Sequence, residues 1–241
     1  MKFNITGFTH KGTEREMNQD RILIQNSIYE SGTHNLLNED YCFCFIADGI
    51  GGGPSGEKAA HYILEQINTK LIRSVNYDDD SLNEILNSIN IDLFNEGRLN
   101  LDYFGSGSTL VGMMINESYF KIINAGDSQL WLFRNNIMTK LTEDQVLNSQ
   151  QENSPITSYF GGKNQNLKLD FDTILRNIKV NDLLILTSDG LLKSLTIKQI
   201  KSILSNTKSL IDKTEFILHK ALQSSAEDNV SCIFIEVINE S

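Results

Sequence analysis

The fold is decided by the stretch Cys42-Phe43-Cys44-Phe45-Ile46-Ala47-Asp48-Gly49-Ile50-Gly51-Gly52-Gly53. Its first half is apolar and typical of a β-strand, and this strand brings the Asp48 carboxylate to its end. The glycines that follow allow backbone to come close to whatever the carboxylate holds. The stretch therefore predicts a functional site at the end of a strand.

Two other segments place aspartates in similar positions. An apolar strand runs through Leu183-Leu184-Ile185-Leu186-Thr187-Ser188 into Asp189-Gly190. Asp228, in Glu227-Asp228-Asn229-Val230, lies just before the apolar segment 230–237. Because an isolated buried carboxylate is costly unless it is paired or bound to metal, aspartates at several strand ends suggest a shared cation. Hard oxygen ligands favour magnesium or manganese.

Composition limits the possible classes of protein. The chain has 241 residues, of which 40% are hydrophobic, and this suits one globular domain spanning 1–241. A net charge of -10 and the lack of a long basic run argue against nucleic acid as a partner. No apolar run is long enough to span a bilayer, and Met1-Lys2-Phe3-Asn4 does not resemble a signal peptide. We therefore expect a cytoplasmic protein without membrane contact.

Cysteine and histidine do not predict a zinc site. The three cysteines, Cys42, Cys44 and Cys232, lie in apolar strand patterns, which favours buried reduced thiols. The spacing Cys42-Phe43-Cys44 is not typical of zinc ligands, and the four histidines are scattered along the chain.

Hydrophobic periodicity predicts an α+β layered domain rather than regularly alternating βαβ units. Helices are expected from Ser55, and from Ser81 to a stop at Gly97. Thr196 to Gln199 is a possible capping box, and a further helix has an apolar face that includes Leu210 and Ile217. A polar loop is expected near 27–40. Strands are predicted at 3–8, 20–26, 41–47, 109–115, 119–124, 129–134, 167–171, 183–188 and 230–237.

The glycine loop has competing interpretations. Gly51 to Gly56 matches the dinucleotide-binding pattern G-x-G-x-x-G, but the acidic residue expected roughly 20 positions further on is missing. It also approaches a P-loop, except that Glu57 stands where a lysine must reach the phosphates. A tight strand-to-helix connection without ligand is the plainer alternative. The preceding Asp48 favours a metal site, in which the Gly49 carbonyl can serve as a further oxygen ligand.

Taken in order, the motifs resemble those of the metal-dependent serine/threonine phosphatases of the protein phosphatase 2C (PPM) family, bacterial type. The resemblance covers essentially the whole chain, and the order and spacing of the motifs make it specific. The motifs are Gly12-Thr-Glu-Arg15-Glu-Met-Asn18-Gln19-Asp20, Asp48-Gly49-Ile50-Gly51-Gly52, Gly107-Ser108-Thr109-Leu110, Asn124-Ala125-Gly126-Asp127-Ser128, Thr187-Ser188-Asp189-Gly190 and Asp228-Asn229-Val230.

The resemblance implies a four-layer αββα sandwich, in which helices flank two central antiparallel β-sheets, and a two-metal centre at one end. It makes Asp48 the bridging ligand and Gly49 a carbonyl ligand. Asp189 and Asp228 become ligands of one metal, and Asp20 acts near the other, directly or through water. Asp127 resembles the residue that helps to hold a third, weaker ion in bacterial members. For each carboxylate, the alternative is an aspartate in a turn or helix cap.

The implied chemistry is hydrolysis without a protein nucleophile. Two divalent ions roughly 3.5 to 4 Å apart share a water, lower its pKa and present hydroxide in line with phosphorus. Arg15 is the expected ligand of the substrate phosphate, because its guanidinium can donate to two oxygens at once. The alternative role for Arg15 is a surface ion pair with Glu14 or Glu16.

Several positions depart from the family pattern. Ile50 stands where animal relatives often carry a histidine proposed as general acid, so protonation of the leaving group is expected to fall to water. Gln19 replaces a metal-associated glutamate of some relatives, and His10 an aspartate, with an effect that the sequence does not reveal. The segment 141–162 resembles the family's mobile flap but is shorter. The shorter segment either changes substrate preference or is functionally neutral.

The sequence thus predicts one protein phosphatase 2C-like catalytic domain over 1–241, which uses Mn²⁺ or Mg²⁺ to hydrolyse phosphoserine and phosphothreonine on proteins. Its partners would be a serine/threonine kinase and the substrates of that kinase, and we expect a monomer. The alternative is a pseudophosphatase, a binding module that recognises phosphoproteins without catalysis.

Overall fold

The computed structural model describes residues 1–50, 55–71, 76–100, 103–116, 119–151, 154–162, 170–172, 178–206 and 208–239. Its helices are α1 Gly56–Lys70, α2 Asp79–Leu99, α3 Asp189–Ser194, α4 Ile197–Leu204 and α5 Leu210–Gln223. Its strands are β1 Lys2–His10, β2 Asp20–Ile24, β3 Ser27–Tyr29, β4 Gly32–Glu39, β5 Cys42–Ile50, β6 Gly107–Ser108, β7 Leu110–Asn116, β8 Tyr119–Ala125, β9 Gln129–Arg134, β10 Ile137–Lys140, β11 Phe160–Gly161, β12 Asp170–Asp172, β13 Leu183–Thr187 and β14 Val230–Ile238.

The described strands form two antiparallel sheets. One has the order β10-β9-β13-β14-β1-β4, and the other the order β11-β6-β5-β7-β8-β12, with β2 and β3 attached beside β5. Alternate residues of β5 point to opposite faces: Ile46 packs between the two sheets, whereas Phe45 packs under α1 and α2. On the outer face of the other sheet, Phe234 packs against α3, α4 and α5. The architecture is therefore the α+β, four-layer sandwich that the sequence predicted.

Strand register brings acidic residues together at one end of the sandwich. The antiparallel ladder of β2 and β5 places Asp20 directly opposite Asp48. In the other sheet, β14 pairs with both β1 and β13, so the residues before β14 lie beside those after β13. The sheets thereby carry four separate parts of the chain to one site.

Most predicted elements are confirmed, and the predicted polar loop at 27–40 is wrong. This segment forms β3 and β4, and β4 pairs with β1 at the edge of its sheet. Its side chains are mostly exposed or half-buried. An edge strand is held by backbone hydrogen bonds and needs no apolar pattern, which explains why the sequence did not reveal it.

The predicted end of the second helix at Gly97 is also wrong, because α2 continues to Leu99. A Cβ atom at position 97 would lie 2.9 Å from the Tyr103 carbonyl oxygen, so the glycine permits a close approach of the returning chain. The strand predicted at 167–171 lies partly outside the described residues, and β12 covers 170–172.

Two local predictions are confirmed. Thr196 and Gln199 form the reciprocal hydrogen bonds of a capping box at the start of α4. Cys42, Cys44 and Cys232 are free and buried.

Among the described helices, none combines the length and the apolar character that crossing a bilayer requires.

Gly190 offers a test of the packing that joins α3 to the start of β14. A Cβ atom at this position would lie 1.9 Å from the Asn229 carbonyl oxygen. We expect Gly190→Ala to lower the free energy of unfolding by about 1–3 kcal/mol, because the backbone must move to admit the methyl group. Urea denaturation measures the change. Ser202→Ala, on the exposed face of α4, is the control, and an unchanged midpoint for Gly190→Ala would contradict the close packing.

Candidate metal centre

Carboxylates from both sheets meet at the end of the sandwich. Asp20 begins β2 and Asp48 lies near the end of β5, whereas Asp189 follows β13 and Asp228 precedes β14. Asp189 and Asp228 each influence the pKa of both Asp20 and Asp48. The structure therefore brings together four aspartates that the sequence singled out.

Asp20 is completely buried, and only part of its charge is compensated. Its Oδ2 atom accepts a hydrogen bond of 2.8 Å from the Ser188 hydroxyl, while its buried Oδ1 atom has no hydrogen-bond partner among the described residues. Burial raises the pKa of Asp20 to about 6; the hydroxyls of Ser231 and Ser188 oppose this shift, and the Asp189 and Asp228 carboxylates add to it. A cation would satisfy both the free oxygen and the charge.

Asp48 lies among like charges. Burial raises its pKa well above the ordinary value, and the neighbouring carboxylates, led by Asp20, raise it further. Its backbone is fixed by the Gly-Ser-Thr motif: the Asp48 carbonyl accepts from the Thr109 amide and the Ser108 hydroxyl, both at 2.9 Å. The motif thus holds this carboxylate in the cluster without contacting its charged oxygens.

Asp127 lies next to the cluster and lines an open groove together with Asp144, Asp189 and Lys193. Its Oδ1 atom is buried and has no hydrogen-bond partner in the described part of the chain. Burial and the Asp189 carboxylate raise the pKa of Asp127 to about 6. Asp127 thus lies beside the other carboxylates, and its role as a ligand of an additional cation stays a prediction.

Asp189 and Asp228 share one protein cation. The Lys193 ammonium lies 2.6 Å from Asp189 Oδ2 and 2.9 Å from Asp228 Oδ2, so the two carboxylates can contact a single positive centre. Burial raises the pKa of Asp189 despite Lys193. The pKa of Asp228 is lowered, because Lys193, the Asn229 amide and Arg15 together outweigh its burial.

Arg15 reaches the same carboxylate from the opening segment. Its Nε and Nη2 atoms each lie 3.0 Å from Asp228 Oδ1, and 56% of its side chain is exposed. The ion pair predicted as the alternative, with Glu14 or Glu16, is therefore replaced by one with Asp228. Since a guanidinium has two donor edges, the contact with Asp228 leaves the Nη1–Nη2 edge for another anion.

Gly49 confirms the close backbone approach expected after the strand. A Cβ atom here would lie 2.4 Å from the carbonyl carbon and oxygen of Gly56, and 2.8 Å from the Gln19 carbonyl oxygen. The role of the Gly49 carbonyl as a ligand stays a prediction. Residues 51–54, which carry most of the predicted glycine loop, lie outside the described residues.

The sequence reasoning missed several polar residues that support the site. Asn229 donates to the carbonyls of Lys11 (3.0 Å) and Met17 (2.9 Å) and accepts from the Gln19 amide (2.9 Å), which ties the opening segment to the start of β14. Ser188, already in contact with Asp20, accepts from the Ser231 amide. The sequence signal was present, since Asn229 and Ser188 each stand next to a singled-out aspartate.

The departures from the family pattern have modest structural roles. His10 accepts a hydrogen bond of 3.0 Å from the Gly12 amide, and burial lowers its pKa. Ile50 pairs with Gly107 in the β5–β6 ladder. In the flap-like segment, Val146 and Ile156 form a β-bridge beside the groove, and 75% of Leu147 is exposed.

The carboxylate oxygens of the cluster are of the chemical type that binds a hard divalent cation, although they do not surround a single point. Within the described residues, no three aspartate, glutamate, histidine or cysteine side chains converge tightly enough to enclose an ion. Like charges repel when no cation lies between them, and Lys193 and Arg15 already hold two of the carboxylates. The unpartnered carboxylate oxygens are the hard donors that Mg²⁺ and Mn²⁺ prefer. The raised pKa values of Asp20 and Asp127 show that these carboxylates are not fully compensated by positive charge.

Comparison with known proteins identifies relatives along most of the chain. A family model described as Protein phosphatase 2C matches residues 4–172. The serine/threonine phosphatase stp of Listeria innocua is 24% identical over 238 residues, which cover 92% of this chain and 94% of that protein.

Solved structures share the fold. The serine/threonine phosphatase of S. agalactiae superposes with a TM-score of 0.81 at 21% identity, covering 98% of this chain and 99% of that one. The catalytic domain of the phosphatase PstP, solved in complex with two manganese ions, superposes with a TM-score of 0.78 at 20% identity, covering 99% of both chains.

The raised pKa of Asp20 predicts how the stability of the metal-free protein depends on pH. The folded state keeps a proton on this carboxyl up to about pH 6, whereas the unfolded chain releases it near 3.8. The unfolded state therefore binds fewer protons between these values, so stability falls as pH rises from about 4 through 6, by on the order of 2–3 kcal/mol. Asp48, Asp127 and Asp189, whose pKa values are also raised, act in the same direction. Asp228, with its lowered pKa, acts in the opposite one.

Urea denaturation in the presence of chelator, from pH 4 to pH 7, measures this dependence. Asp20→Asn removes the titrating group, so the variant should lose less stability over this range and exceed the wild type at pH 7. An equal loss in both proteins would contradict the raised pKa of Asp20.

Proposed function

This chain belongs to the protein phosphatase 2C family and is a serine/threonine phosphoprotein phosphatase, and we propose that the carboxylate cluster at the end of the sandwich is its metal-dependent catalytic centre. In this proposal Asp48 and the carbonyl of Gly49 would hold divalent ions. Asp189 and Asp228 would hold one of these ions, and Asp20 would lie near the other.

One observation carries the assignment. Asp20 and Asp48 lie opposite each other in the β2–β5 ladder, and the pKa of each is raised by burial and by surrounding carboxylates. Like charges directly opposite each other destabilise a sheet unless something compensates them. A binding site for divalent cations would compensate the negative charge of these two carboxylates and would explain why the fold places them together.

The chain's own residues then have distinct tasks. When bound, the divalent ions supply Lewis acidity, which makes a water nucleophilic near neutral pH. Ser188 orients Asp20 through its hydrogen bond, and Ser108 and Thr109 fix the backbone of Asp48. These contacts hold the carboxylates so that little reorganisation accompanies the reaction.

Arg15 binds the substrate phosphate in this proposal. Its Nε–Nη2 edge is held by Asp228, which orients the free edge of a largely exposed guanidinium beside the cluster. Donation from Nη1 and Nη2 to two phosphate oxygens positions phosphorus at the carboxylate cluster. Because Ile50 carries no proton to donate, protonation of the leaving serine or threonine oxygen falls to water.

The finer predictions on cofactor, partners and location belong to the same proposal. We take the ions to be Mn²⁺ or Mg²⁺, with Asp127 as a ligand of a possible third. The substrates are phosphorylated proteins, and we propose a serine/threonine kinase as the enzyme that this phosphatase opposes. The proposal also includes one catalytic domain over 1–241, a monomeric state and a cytoplasmic location.

A pseudophosphatase is not favoured. A binding module without catalysis has no need to keep carboxylates in a repulsive cluster, yet Asp20, Asp48, Asp127, Asp189 and Asp228 are all retained. The nucleotide-binding alternatives depend on residues 51–54, which lie outside the described residues.

Replacement of Asp48 tests the metal mechanism. Asp48→Asn should reduce the hydrolysis of a phosphoserine peptide by ~100-fold or more, since even residues that only support metal ligands alter affinity or activity by about 10–100-fold. The fold should persist, because a neutral amide relieves repulsion in the cluster. Activity with Mn²⁺ and with chelator, together with circular dichroism, measures both effects.

Asp80→Asn, in the exposed first turn of α2, is a matched control and should keep full activity. Wild-type turnover that persists unchanged in chelator would defeat the metal mechanism. Turnover by Asp48→Asn at the wild-type rate would remove Asp48 from it.

Replacement of Arg15 tests phosphate binding. Arg15→Lys keeps the charge but loses the two-point donor edge, so kcat/KM for the phosphopeptide should fall by about 10–100-fold, the equivalent of about 1.5–3 kcal/mol for a charged hydrogen bond. Steady-state kinetics with saturating Mn²⁺ measures the change. Arg98→Lys, at the end of α2, serves as control, and equal kinetics for Arg15→Lys and wild type would refute the phosphate role.

A further inference from the structure

Lys193 is the positive group inside the acidic cluster that no prediction assigned a role. It lies in the last turn of α3, one helical turn after Asp189, and 43% of its side chain is exposed. Its ammonium contacts Asp189 Oδ2 at 2.6 Å and Asp228 Oδ2 at 2.9 Å. The lysine ammonium thus contacts both of the carboxylates that the proposed function assigns to one divalent ion.

These contacts divide the cluster into two electrostatically different parts. Asp228 is surrounded by positive groups, because Arg15 holds its Oδ1 atom and Lys193 its Oδ2 atom. Asp20 has one oxygen without a partner, and its pKa is raised by burial. Protein cations therefore contact both carboxylates of the Asp189–Asp228 part of the cluster. Among the described residues, no such ion pair reaches the carboxylate of Asp20 or Asp48, and Arg21 donates to the backbone carbonyl of Asp20 but not to its carboxylate.

A divalent ion and the ammonium cannot share these oxygens at close range. Magnesium binds carboxylate oxygens at about 2.0–2.1 Å, so an ion held by both Oδ2 atoms would lie next to the lysine nitrogen. Two positive centres at that separation repel strongly in a partly buried site. The ion must therefore displace the ammonium from its position.

The adjoining groove offers the displaced ammonium a new position. Asp127 and Asp144 line this groove together with Lys193, and Lys193 already lowers the pKa of Asp127 against the effect of burial. Asp144 is already paired with Lys140 and accepts from Gln129. Asp127, whose Oδ1 atom has no hydrogen-bond partner in the described part of the chain, is therefore the carboxylate towards which the exposed Lys193 side chain can rotate. The same movement places a positive charge beside Asp127.

We propose that Lys193 is a built-in cation of this site, which competes with a divalent ion for Asp189 and Asp228 and moves towards Asp127 when that ion binds. The inference rests on the proposed function. It makes Lys193 a residue that determines metal affinity, not one that takes part in the chemical step. It also raises the divalent-ion concentration at which the Asp189–Asp228 position fills.

Calorimetric titration with Mn²⁺ at pH 7 tests the competition without relying on activity. For the weakest Mn²⁺ site that the titration resolves, the affinity of Lys193→Met should be about tenfold higher than that of the wild type. The affinity of Lys193→Arg should stay close to that of the wild type. Lys198→Met makes the same charge change on the exposed surface of α4 and is the matched control. It should leave the affinity for Mn²⁺ unchanged.

Thermal unfolding provides a second readout. Removal of Lys193 leaves Asp189 and Asp228 to repel each other, so the variant should have a lower Tm than the wild type in chelator. Added Mn²⁺ should raise the Tm of the variant by more than it raises that of the wild type. Lys193→Gln, which keeps a hydrogen-bond donor, replaces the methionine variant if that protein does not fold in chelator.

The outcomes separate this inference from the proposed function. If the wild type binds Mn²⁺ and Lys193→Met or Lys193→Gln binds it equally or more weakly, the competition is refuted while the metal centre stands. If Lys198→Met tightens binding as much as Lys193→Met does, general charge explains the effect and the inference is again refuted. A wild type that binds no Mn²⁺ overturns both proposals.

Discussion

Repulsion among one buried and several half-buried carboxylates is the constraint on which the rest of this structure depends. The two sheets end at the same place, and their register sets Asp20 against Asp48 with Asp189 and Asp228 nearby. Packing between the sheets and under the helices stabilises the fold that holds these charges together. The core therefore supports an arrangement that the acidic residues alone would not adopt, and cations relieve it.

The supporting polar contacts explain how such a cluster keeps its shape. Asn229 joins the opening segment to the start of β14, and Ser188 connects Asp20 to the end of β13. At Gly49 and Gly190, backbone approaches backbone where a side chain would not fit. The Ser188–Asp20 hydrogen bond is buried and those of Asn229 are partly buried, so the scaffold positions the carboxylates more than they position one another.

Much of the fold and the identity of the acidic residues could be predicted from the sequence. Apolar periodicity and the motifs at Asp48 and Asp189 depend on local patterns, which a sequence displays directly. The strand β4 was missed because an edge strand with polar side chains lacks such a pattern. The end of α2 was misplaced because Gly97 serves the close approach of the Tyr103 carbonyl, a tertiary contact that the sequence does not display. The ion pairs of Arg15 and Lys193 with Asp228 join residues far apart in sequence or unassigned in the motifs, so only the assembled structure reveals them.

The pairing of β14 has a consequence for how the molecule is made. This strand lies between β1 and β13, and the residues just before it, Asp228 and Asn229, complete the acidic cluster and anchor the opening segment. During synthesis from the amino terminus, a ribosome-bound chain that has not yet released this strand cannot assemble its centre. The pairing of β1 with β14 is also intrinsically slow, because it joins segments that are far apart in sequence. A chain truncated before Asp228 would therefore lose one carboxylate of the cluster, the partner of Arg15 and the anchor of the opening segment in a single step.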